Sequence, residues 1–76
     1  MPTITVLSNA KIEMFADDHS PPHFHLRGPN SNALIGLNTL SVLRGRASRG
    51  DLAEAFAWAK ANVDLLEAEW RRLNER

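Results

Sequence analysis

His19, His23 and His25 are the only histidines of the chain, and all three lie in the stretch FADDHSPPHFHLRG, Phe15 to Gly28. Asp17 and Asp18 precede them, Pro21 and Pro22 lie between them, and Arg27 follows. Imidazole ordinarily titrates near neutral pH, so it can exchange protons or ligate a metal under physiological conditions. In an extended strand alternate side chains share a face, which sets His23 and His25 about 6.6 Å apart, with Arg27 extending the row. Two imidazoles so spaced can converge on one divalent transition metal, Zn or Mn, with a zinc–nitrogen distance of about 2.0–2.1 Å. His19, or a carboxylate from Asp17 or Asp18, would fold back from the turn as third ligand. Three protein ligands and an open position are the form of a catalytic or substrate-binding centre. The proline pair stiffens the turn and reduces the entropy lost on assembling such a site. The same row also supports a metal-free use. His23 and His25 can divide general base and general acid roles while Arg27 neutralises a phosphate, which suits cleavage of RNA by its own hydroxyl. Simple polar-outward alternation on a solvated strand would also place two histidines this way.

These residues must be positioned by a β-rich front half. TITVL, Thr3 to Leu7, is a β-branched run followed by a turn at Ser8 and Asn9. KIEMFA alternates, with Ile12, Met14 and Ala16 on one face and Lys11, Glu13 and Phe15 on the other. DDHSPP reads as a turn, because proline lacks the amide that a central ladder needs. HFHLR alternates again, setting Phe24 and Leu26 against His23, His25 and Arg27. GPNSN is a loop by composition. ALIGLN and LSVLR are further strands joined near Asn38 and Thr39, with a bulge expected at Gly36. The expectation is an antiparallel meander of about four strands over residues 1–46.

From residue 47 onward the period changes. Leu52, Phe56, Ala59, Val63, Leu66, Trp70 and Leu73 recur at alternating spacings of four and three, an apolar helical stripe. Ser48 or Asp51 can cap its start, and Asn62 can cap a second helix, so the segment is one long helix or two. Fewer than four heptads, beside a sheet that needs covering, favour core packing over a coiled-coil seam. The fold class expected is a single α+β domain with the helical segment across one face of the sheet.

Composition narrows the function classes. A chain of 76 residues, 43% hydrophobic and 24% charged, is globular in character. At this size it buries only about 60% of its unfolded-chain surface, which makes a homo-oligomer or a partner protein plausible. No cysteine is present, so disulfides, thiolate metal sites and thiol nucleophiles are excluded. No apolar run reaches the roughly 20 residues of a membrane span, and the N-terminus lacks a signal-peptide pattern, so the cytoplasm is expected. Nine basic and nine acidic residues leave no global field for nucleic acid. Locally, Arg44, Arg46 and Arg49 fall in LRGRASRG with no acid among them. They read as solvated arginines flanking a helix, or as a phosphate-, RNA- or partner-binding cluster.

MPTI at the start, MFADDHSPPHFHLR, LRGR and WAKANVDLLEAEW together resemble the small bacterial proteins of domain-of-unknown-function family 4160. The family hallmark, a strand ending in Asp-Asp-His followed by two prolines and His-Phe-His, matches Asp17, Asp18, His19, Pro21, Pro22, His23, Phe24 and His25. The resemblance spans nearly the whole chain. It departs at Ala16, where members commonly carry an aromatic residue, at the turn RGPNSNA, and at Ala47 and Ser48 in place of a Leu-Pro helix entry. It implies a toxin–antitoxin-like protein paired in its operon with a second small protein, of domain-of-unknown-function family 2442, and no established reaction. The functional expectation is therefore a histidine site for metal or phosphate, with nuclease activity in view. The alternative is a non-enzymatic interaction module that binds the operon partner, or a small transcription-regulatory partner.

Overall fold

Five β-branched or alternating runs form five strands in the computed structural model, which describes residues 3–16 and 21–74. They are β1 (Thr3–Val6), β2 (Lys11–Glu13), β3 (His23–Gly28), β4 (Ser31–Gly36) and β5 (Val42–Ala47). The sheet is an antiparallel meander in sequence order, one strand more than the four or so expected. The two hairpins that flank β4 explain its early start. The loop expected over GPNSN contracts to Pro29 and Asn30, because Gly28 pairs with Ser31. After β4, Leu40 N–H donates to the Gly36 carbonyl at 2.9 Å, and Gly36 N–H donates to the Ser41 carbonyl at 3.0 Å.

The expected bulge lies next to Gly36. Leu34 pairs with Arg44 but Ile35 pairs with Val42, so Leu43 is the extra residue and β5 carries the bulge. Gly45 in the same strand has φ +86, and a Cβ there would stand 2.2 Å from the Asn32 carbonyl oxygen. Only glycine fits that approach.

Residues directly opposite each other in a sheet share a face. Ile12 pairs with Leu26, Leu26 with Ala33, and Phe24 with Ile35, and none of these is more than 1% exposed. This apolar face receives α1 (Arg49–Ala61) and α2 (Val63–Asn74), so the helical segment is two helices. Asn62 forms the break. Its N–H donates to the Ala59 carbonyl at 3.2 Å and its carbonyl accepts from Leu66 N–H at 3.0 Å. Ser48 caps α1 by accepting from Asp51 N–H at 3.1 Å. The buried Asp51 carboxylate in turn accepts from the Ser31 hydroxyl, tying the helix start to β4.

The helical stripe needs one correction of phase. Leu66 and Trp70 in α2 and Ala59 in α1 are buried as expected, but the other buried positions of α1 are Asp51 and Ala55 rather than Leu52 and Phe56. Leu52 and Phe56 lie half-buried on the flank of the core. Ala55 and Ala59 belong to one core cluster with Ile12, Phe24, Leu26 and Leu66. The larger Leu52 and Phe56 pack against it.

Candidate functional site

The face of the sheet turned away from the helices carries the chemistry. Cross-strand pairing lays out one row of Val6, Lys11, Arg27, Asn32 and Arg46. Beside it runs a second row of Glu13, His25, Leu34 and Arg44, and next to that His23 opposes Gly36. Arg44 and Arg46 therefore share a face with the histidine strand, two strands from it, or about 10 Å. Arg49 does not join them. It opens α1, exposed on the helix.

Alternation holds along β3, with Phe24 and Leu26 in the core and Arg27 half-exposed on the other side. His23 departs from a simple outward direction and is only 3% exposed. At the end of β3 its ring packs against Trp70 of α2, with centroids 5.2 Å apart. Asn74, one turn further, donates to the Phe15 and Trp70 carbonyls at 3.3 and 3.1 Å, which anchors the end of α2 beside the site. His25 is half-buried and meets Phe15 edge-on at 4.7 Å. The His23 and His25 rings lie 5.2 Å apart, so the strand and the aromatic walls bring the two imidazoles together.

His23 Nδ1 lies 2.8 Å from the Pro21 carbonyl, which can only accept, so Nδ1 carries the proton. In the neutral ring that leaves Nε2 as the basic nitrogen. The Pro21 carbonyl thus selects the His23 tautomer.

Asp17, Asp18 and His19, expected as further metal ligands, lie outside the described residues. Among the described residues no group of three histidine or acidic side chains is placed to hold a metal ion. His23 and His25 supply two of the ligands that such a site would need.

Glu13 is the member of this face that the histidine pattern did not single out. It is 6% exposed, directly opposite His25, with its carboxylate 3.4 Å from Lys11 Nζ and 3.7 Å from Arg27. Burying a carboxylate is costly unless cations and hydrogen bonds compensate it. Two cations are present, yet Oε1 has no hydrogen-bond partner. Alternation alone puts Glu13 on the non-core face of β2. Its position opposite His25 depends on the β2–β3 register, which no local pattern encodes.

Among the described residues, Lys11, Arg27, Arg44 and Arg46 stand against Glu13, so the open face concentrates positive charge there on a chain with no net charge. Such a surface can bind a polyanion, and the Phe15 and His25 rings at its end can stack on a base. Among the described residues no helix is long and apolar enough to cross a membrane.

The model of one protein family, described as a domain of unknown function (DUF4160), matches residues 10–71. That span contains the basic rows from Lys11 onward, both described histidines and most of the two helices. Neither the curated proteins nor the solved structures contain a match to the chain.

Proposed function

We propose that this chain, which belongs to the DUF4160 family, binds RNA on the open face of its sheet and cleaves it without a metal at the histidine pair. The observation that carries this reading is the cross-strand register, which joins Lys11, Arg27, Arg44 and Arg46 to the His25 row on one face. The cations bind phosphates, and the imidazoles supply proton transfer. Burial against Trp70 gives His23 a supporting part and leaves the half-buried His25 to meet substrate. The family resemblance adds a biological setting, a toxin–antitoxin-like pair with a second small operon-encoded protein.

Digestion of a single-stranded RNA in excess chelator tests the reading. Cleavage that survives the chelator and is lost in Arg27→Ala and His25→Ala supports it, whereas RNA that is neither bound nor cut refutes it. Co-purification with the neighbouring gene product tests the operon partner.

One observation favours a second reading, a Zn or Mn centre. Metal-bound histidines usually donate their other ring N–H to a carboxylate or a carbonyl, as His23 does to Pro21. His19 or Asp18 would complete the ligand set. Calorimetry with zinc and manganese should then show binding that weakens in acid, because ligating imidazoles must be unprotonated. His23→Ala and His25→Ala should each abolish it, and a flat titration would remove this reading.

A further inference from the structure

Glu13 has a use that the histidine pair leaves open. Its Oε1 is buried without a hydrogen-bond partner on the same face as His25 and Arg27. An ionised carboxylate only accepts hydrogen bonds, so whatever completes Oε1 must be a donor. The Arg27 guanidinium lies against it at 3.7 Å, too far for a hydrogen bond, and is itself half-exposed.

We propose that Glu13 is the general base of the RNA-cleaving site and that a ribose 2′-hydroxyl is the donor that its Oε1 lacks. This rests on the RNA reading above and names the group that the site recognises. A phosphate drawing Arg27 outward uncovers Oε1 and delivers the adjacent ribose to it. The 2′-hydroxyl passes its proton to the Glu13 carboxylate while the 2′-oxygen forms a bond to phosphorus. The bond from phosphorus to the 5′-oxygen breaks, and that oxygen takes a proton from the His25 imidazolium. The products are a 2′,3′-cyclic phosphate and a 5′-hydroxyl end. Glu13 is left protonated and His25 neutral, and exchange with water restores both. No oxidant, reductant or metal enters the balance. DNA has no 2′-hydroxyl, so the face binds it and leaves it intact.

The test uses the full chain in excess chelator, a fluorescent single-stranded RNA, and the DNA of the same sequence. Anisotropy reads binding, and gel analysis with end-group determination reads cleavage. The expected result is binding of both probes, cleavage of RNA alone, and cyclic phosphate ends. Glu13→Gln should still bind RNA but cut about 10²–10⁴-fold more slowly, the usual worth of a general base. Glu13→Asp keeps the acceptor on a shorter stem and should fall between. Circular dichroism checks that each variant is folded. If Glu13→Gln does not fold, Glu13→Asp decides, and a parent-like rate from it overturns the inference. Cutting by folded Glu13→Gln at the parent rate overturns the inference and leaves the RNA reading standing. A parent that binds RNA without cutting it also overturns the inference and leaves an RNA-binding face. A parent that neither binds nor cuts RNA removes both.

Discussion

At the scale of single residues, the two neighbouring histidines sit in different surroundings. His23 is buried against Trp70, with Nδ1 donating to the Pro21 carbonyl. Replacing it by alanine removes a buried ring and orphans a carbonyl, so His23→Ala should lower stability by about 1–3 kcal/mol. His25 is half-buried against Phe15, and His25→Ala should cost less than about 1 kcal/mol while abolishing cleavage. Urea denaturation of both variants beside an RNA digestion checks the split. Equal stability losses would show that the rings share one structural role. Gly45 gives a second residue-scale test. With φ +86 and the Asn32 carbonyl where a Cβ would stand, Gly45→Ala should lose more than about 1 kcal/mol and loosen the β4–β5 pairing. A thermal melt at the parent temperature would contradict this.

At the scale of elements, the two helices bury different kinds of side chain. Trp70 is buried, so Trp70→Ala should cost about 3–5 kcal/mol, within the range of a small domain's whole stability. Phe56 lies on the flank, so Phe56→Ala should cost clearly less than Trp70→Ala. At Ala55 and Ala59, both fully buried, the sensitivity is to added volume. Ala55→Leu should overpack the α1 contact by about 1–3 kcal/mol. Chemical denaturation of the three variants orders them. On α2 the Arg72 hydrogen bond holds the Glu69 carboxyl below its usual range. A depressed acid contributes stability above its unfolded pKa, and that contribution is lost as pH falls through the folded one. Because the pair is exposed the effect should be small and should fade with salt. The melting difference between the parent and Glu69→Gln should therefore vanish in acid.

At the scale of the molecule, a five-stranded sheet has two faces, and the helices cover one. The covered face carries the stability, which leaves the other to carry charge at little cost to the core. RNA affinity that comes from this face should fall with salt, with a logarithmic slope of about 0.7 per phosphate contact for single strands. Arg27→Ala, Arg44→Ala and Arg46→Ala should each flatten that slope by about this amount, while Arg49→Ala, on the helix, should leave it unchanged. Anisotropy titrations across salt concentrations measure it. A slope that responds to Arg49 and not to Arg46 would move the binding surface to the helix.

Local pattern determined much of this protein. Period-two alternation assigned Phe24 and Leu26 to the core and Lys11 and Glu13 to the opposite face. The shift to helical spacing marked the second half, while Asn62 left one helix or two open until the structure showed two. These signals survive without tertiary context because backbone geometry alone imposes both periods. The tertiary structure decided how the pieces meet. Strand count turned on whether short runs found ladder partners, and the phase of α1 turned on packing that buries Asp51 and Ala55 and leaves Leu52 and Phe56 on the flank. His23 read as facing away from the core, and is buried because Trp70, 47 positions later by residue number, packs over the end of β3. Glu13 and Arg44 joined the site only through register, a relation between strands that the residues of one strand do not contain.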